Sequence, residues 1–213
     1  MKKIMFSDKY SLTEAVLEGR KTQTRRIVSE KLLDKWTNYD DFCNSVCVGD
    51  ISITRQYFNE NDFFFDNSHY KFDEIVAIAQ RYKDIVEKRD EAQEVLDLYK
   101  IGEKYLTMEE MGAGWSNKMF VAADLMPHHI RITNVRVERL QDISDEDCLR
   151  EGIEERRDPY LKELEYGIYN GNKPILLKPT PRDAYAALID KISGKGIFQS
   201  NPFVFVYEFE LVD

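Results

Sequence analysis

The chain has 213 residues, 43% of them hydrophobic and 32% charged, enough apolar material for one sizeable core. Lys and Arg number 30 against 39 Asp and Glu, a formal net charge of -9, which argues against broad affinity for DNA or RNA because that rests on neutralising phosphates. Three cysteines, Cys43, Cys47 and Cys148, show neither paired-ligand spacing nor a matching histidine cluster, so no disulfide framework, no metal and no cofactor are expected.

The N-terminus offers only Ile4, Met5 and Phe6 before Ser7, too short an apolar run for a signal peptide. No stretch approaches transmembrane length, so the expectation is a cytoplasmic, reduced protein without a membrane partner. Leu12, Ala15 and Val16 repeat with helical spacing, and Gly19 stops the segment in left-handed conformation. Gly19 to Arg26 reads GRKTQTRR, with four basic side chains and two hydroxyls in eight residues. Such a patch is a candidate site for an anionic or nucleotide-like ligand, with a solvated charged turn as the alternative. Thr22 to Val28 alternates as a strand, placing Thr22, Thr24, Arg26 and Val28 on one face and Gln23, Arg25 and Ile27 on the other.

Asp50 to Tyr57 alternates Ile51, Ile53, Arg55 and Tyr57 against polar residues, a half-buried strand with Arg55 on its apolar face. Residues from about 58 to 113 read as an insertion, with an aromatic run at Phe63 to Phe65, a strand-like IVAIA segment and a surface helix from Lys83 to Tyr99. Trp115, in GAGWSNK, follows two glycines on a loop, either as a stacking surface or as a plug. Ile130 to Leu140 is a strand whose apolar phase switches near Thr133 and Asn134, the mark of a bulge or sharp twist.

Ser144 opens the next helix, with Asp145, Glu146 and Asp147 in its first turn and Gly152 closing it. Glu151 therefore falls in the last turn, where the helix dipole disfavours an ionised carboxylate. A second insertion, about 156 to 181, is polar and reads as a surface excursion in preference to a flap. Asp183 to Ile192 is an amphipathic helix with Ala184, Ala187, Leu188 and Ile192 inward. Phe203 to Leu211 alternates as a final strand whose aromatic stripe belongs to the core.

Gly19, Lys21, Thr24 and Arg26 have the form G-x-K-x-x-T-x-R after a short helix. With MPHHIRITNVRVERLQDISDEDCLREGI (Met126 to Ile153) and NPFVFVYEFELV (Asn201 to Val212), they resemble the ASCH family of the PUA-like superfamily, in its large, phage-type branch. The resemblance implies one α+β domain over residues 1–213, a PUA-like mixed β-barrel with flanking helices and the two insertions. It also implies catalytic positions at Lys21, Thr24 and Glu151, because small ASCH proteins carry that trio for amide hydrolysis of acylated cytidines. Gly19, Arg20, Arg26, Arg55 and Trp115 would line the substrate cleft. Lys21 is a base only while neutral, and Glu151 is either its partner or a proton relay, with Arg26 or a backbone amide at the oxyanion. Two functions stay open: an amidohydrolase acting on N4-acylated cytidines, or an RNA-binding module or ribonuclease recognising single-stranded or flipped bases without amide hydrolysis. The partner is a nucleoside or a short single-stranded RNA. A plain Lys21–Glu151 salt bridge holding helix to barrel is the structural alternative.

Overall fold

The computed structural model describes residues 1–46, 60–87, 91–157 and 163–212. Its strands are β1 (Lys3–Ile4), β2 (Gln23–Ile27), β3 (Ile75–Ile78), β4 (Tyr99–Ile101), β5 (Lys104–Leu106), β6 (His129–Arg139), β7 (Glu154–Arg157), β8 (Leu164–Asn170), β9 (Lys173–Lys178) and β10 (Phe203–Leu211). Five of them make the main sheet in the order β1-β3-β6-β10-β2, all neighbours antiparallel except β1 with β3. With helices packed on the sheet, the architecture is α+β.

The long β10 is sandwiched between β6 and β2 and is buried on both faces from Val204 to Tyr207. Alternation explains how one strand serves two layers. Phe205 and Tyr207 meet Phe64 and Tyr70 on one side, with ring centroids 6.2 and 5.2 Å apart. Val206 is in register with Arg25 of β2, whose side chain reaches the helix Asp145–Arg150 on the other side. Glu208 pairs with Asn134 and Phe209 with Ile132, leaving Thr133 as the extra residue of a bulge, at the point where the apolar phase switches.

Two expectations change. Among the described residues no closed barrel forms, because β1 and β2 are the outer strands of the sheet and do not pair; the strand expected from Asp50 to Tyr57 lies outside the described residues. β1 ends after two residues, and the chain turns through Asp8–Tyr10 into the helix Leu12–Leu17. A side chain crosses the gap instead: the Arg26 guanidinium donates to the Met5 carbonyl at 2.6 Å. Within the described part of the stretch from 58 to 113, β3 pairs with both β1 and β6. Within that stretch the expected surface helix is two short pieces, Tyr82–Ile85 and Glu91–Leu96, leaving Val95 and Leu96 exposed. In the described part of the stretch from 156 to 181 and just before it, β7, β8 and β9 form an antiparallel meander whose Ile168 joins the main core.

A smaller apolar cluster of Ala77, Ala79, Tyr82, Ile101, Met111, Val121 and Met126 lies at the β3 end of the sheet. No helix among the described residues is long and apolar enough to cross a membrane.

Candidate functional site

The gap between the two outer strands holds a cavity of about 330 Å³. Met5, Phe6 and Ser7 line it from the β1 side, Lys21 and Thr24 to Ile27 from the β2 side, and Tyr185, Leu188 and Ile189 from the helix Pro181–Ser193, with Glu151 in the wall. Lys21, Thr24 and Glu151 are thus brought to one cavity from positions up to 130 residues apart.

Local structure places each of them. Gly19 takes φ +72° after the first helix, and the chain is then pinned by Lys21 N–H to Ala15 O at 2.9 Å and Thr22 N–H to Arg150 O at 3.0 Å. Ser144 caps the helix Asp145–Arg150 through the Asp147 N–H, and Gly152 at φ +99° ends it just past Glu151. A Cβ on Gly152 would lie 3.6 Å from the Lys21 Cβ and 3.3 Å from Leu12 Cδ2, so this glycine is both a helix stop and the floor under the lysine stem.

Lys21 is 2% exposed and Glu151 4%. Lys21 Nζ donates to Glu151 Oε2 at 2.6 Å, to Glu151 O at 2.8 Å and to the Gln23 carbonyl at 2.7 Å. Three acceptors match the three donors of an ammonium. Burial pulls the Lys21 pKa below its ordinary 10.5, with Arg26 and Arg25 pushing the same way, while Glu151 pulls it back up. The Thr24 side chain is buried and makes no hydrogen bond to another described residue.

Behind this pair stands Arg25, whose side chain is fully buried. Nε donates to Glu138 Oε1 at 2.9 Å, Nη1 to Gln23 Oε1 at 2.6 Å and Glu151 Oε1 at 3.1 Å, and Nη2 to Glu138 Oε1 at 2.7 Å and Asp147 Oδ2 at 2.8 Å. All five guanidinium donors are therefore taken. Arg136 extends the cluster, bonding Glu138, Asp147 and Glu208. Burial opposes the charge on Arg25, but the carboxylates outweigh it and hold the guanidinium protonated.

Arg26 is exposed at the cavity mouth, over the Phe6 ring at 6.0 Å, and no described carboxylate pairs with it. The other expected cleft residues lie elsewhere. Arg20 is committed to Glu18 and Glu154 at 2.6 and 3.2 Å, and Gly19 shapes the turn without facing the cavity. Trp115 is partly buried, packs edge-on against Tyr99 at 5.3 Å beside the smaller cluster, and does not line this cavity. Arg55 lies outside the described residues. Sequence reasoning missed Tyr185 and the central part of Arg25. Tyr185 breaks an otherwise aliphatic helix stripe, which is a usable signal; the Arg25 partners on β6 lie 113 residues away, and nothing local announces them.

Comparison with family models, curated proteins and solved structures returns no match. Among the described residues no group of three or more His, Cys, Asp or Glu is arranged to hold a metal ion.

Proposed function

We propose that the cavity binds a nucleoside-sized ligand and hydrolyses an amide on it, with N4-acylated cytidines as the substrate class. The observation that carries this reading is the joint placement, on the wall of one cavity, of a buried Lys21–Glu151 pair and a buried Thr24 whose hydroxyl bonds no other described residue. A volume of about 330 Å³ falls within the range of small-molecule sites. The ASCH resemblance of Gly19, Lys21, Thr24, Arg26 and Glu151 supports the same reaction class.

In this reading Lys21 acts as the base in its neutral form, which burial and the neighbouring Arg26 and Arg25 charges favour. The neutral amine accepts the Thr24 proton as Thr24 Oγ1 attacks the amide carbonyl carbon. The C–N bond then breaks, the proton returns to the departing cytosine nitrogen, and Thr24 is left as an ester. Water, deprotonated by the same amine, cleaves that ester to the carboxylic acid and restores the hydroxyl. Arg26 at the mouth is placed to hold the substrate. RNA binding is the weaker reading. A phosphate track needs several unpaired cations, and two of the three at this cavity, Lys21 and Arg25, are committed to carboxylates.

The test is chromatographic: intact protein is incubated with a panel of N4-acylated cytidines, with Lys21→Ala, Thr24→Ala and Glu151→Ala in parallel. Release of cytidine by the intact protein and its loss in all three variants is the expected result. No turnover on any member of the panel overturns the substrate class.

A further inference from the structure

Arg26 and Ile27 line the first cavity and also a second, of about 340 Å³. Strand alternation puts Thr24 and Arg26 on one face of β2, and the register sets Tyr207 opposite Thr24 and Phe205 opposite Arg26. Phe205 and Tyr207 are in the wall of the second cavity, so the two cavities meet at Arg26 on the face that carries Thr24. Ser29 and His69, both exposed, line the second cavity alone. The His69 ring is held edge-on against Tyr70 at 4.6 Å.

The charge at that junction is positive and open to solvent. Of the five N–H groups of Arg26 one donates to the Met5 carbonyl, and no described residue takes the others. Among the described residues no carboxylate lines the second cavity, in a chain whose formal net charge is -9. Burial pushes the Tyr70 phenol up to about 12 against the pull of Arg26, so the field of the guanidinium extends over this wall. An exposed guanidinium with free N–H groups, and an imidazole in the same cavity, suit an oxyanion with several acceptor oxygens. A polynucleotide track needs a row of such cations, whereas one phosphate needs a single fork. We propose that the second cavity is a phosphate subsite, where Arg26 and His69 hold the monophosphate of a nucleotide whose base enters the first cavity. The inference rests on the amidohydrolase reading above and adds the substrate class: a nucleotide, with the reacting base and the phosphate on opposite sides of Arg26.

The experiment measures kcat/KM for N4-acetylcytidine, for its 5′- and 3′-monophosphates and for a short oligoribonucleotide carrying the same base, in intact protein, Arg26→Gln and Ser29→Asp. The quantity read is the ratio of each phosphorylated substrate to the nucleoside, which cancels any general effect of a substitution. The Ser29 hydroxyl accepts the Leu32 N–H at 3.3 Å, a bond that aspartate also makes at a helix start, so Ser29→Asp keeps the local fold and adds a negative charge to the second cavity. The expected result is a preference of roughly tenfold or more for one of the monophosphates in the intact protein. In both variants that preference falls to about twofold or less, and the rate on the nucleoside is unchanged in Ser29→Asp. Equal rates on the nucleoside and both monophosphates overturn the inference and leave the amidohydrolase reading standing. A monophosphate preference that survives Ser29→Asp does the same, because the phosphate then binds elsewhere, and so does a preference shown by the oligoribonucleotide alone, which assigns the cavity to RNA. No turnover of any substrate by the intact protein overturns both.

Discussion

Lys21 Nζ is surrounded by three acceptors, one of them a carboxylate, and this geometry sets what each residue of the site contributes to stability. Removing one partner of a buried pair strands the other, a cost of about 3 kcal/mol. Lys21→Met should therefore destabilise the protein by about 3 kcal/mol in chemical denaturation. Combined with Glu151→Gln, its effect should fall short of the sum of the single changes by at least about 1 kcal/mol, since the two side chains share one bond. Additive effects would mean that the pair does not form. Thr24 behaves differently, having no side-chain bond to lose to another described residue. Thr24→Ala should cost no more than about 1 kcal/mol while abolishing turnover; a large loss of stability would assign the hydroxyl a structural bond. The motif itself was legible in the sequence because Gly19, Lys21 and Thr24 are local, and the cap at Ser144 and stop at Gly152 fixed where Glu151 would fall.

At the scale of elements, Arg25 ties β2 to β6 and to the helix Asp145–Arg150 through Glu138, Asp147 and Glu151. Arg25→Lys keeps the charge but offers three donors where five are used. It should destabilise by about 2 kcal/mol, read from the denaturation midpoint, and a neutral outcome would show that charge alone suffices. Strand alternation correctly divided β2 into two faces, yet it gave no reason to prefer the Arg25 face. That preference arises because β10 separates β2 from β6, with Val206 opposite Arg25 and Val204 opposite Glu138, so that Glu138 comes within diagonal reach of Arg25. Pairing partners of this kind are tertiary facts. Trp115 shows the converse: the two glycines before it suggested a loop, with the tryptophan as stacking surface or plug, while a Cβ on Gly114 would lie 2.5 Å from the Tyr82 ring, which is the signature of close packing. The IVAIA segment was legible as a strand, whereas its place between β1 and β6 was not.

For the whole molecule, acid stability follows from carboxylates whose folded pKa is depressed. Burial raises Asp8, but bonds from Lys118 and Thr13 outweigh it and hold it below 3.8. Glu74 is likewise raised by burial and carried below 4.5 by Lys2 and the Lys71 N–H. A depressed folded pKa gives stability that is present above the unfolded value and is lost as pH falls through the folded one. Stability should thus hold constant above about pH 5 and decline progressively below about 4. Lys118→Met should flatten that decline by returning Asp8 toward its ordinary value, and an unchanged acid limb in the variant would remove Asp8 from the account. The parted sheet has a chemical consequence too: the edges that would have closed a barrel enclose a cavity with Thr24 in its wall. The most direct measurement is mass spectrometry of protein quenched in acid during turnover of N4-acetylcytidine, with peptide mapping. One acetyl group on the peptide bearing Thr24, absent from Thr24→Ala, is the predicted result; an acetyl group on another residue, or undiminished turnover by Thr24→Ala, would contradict it.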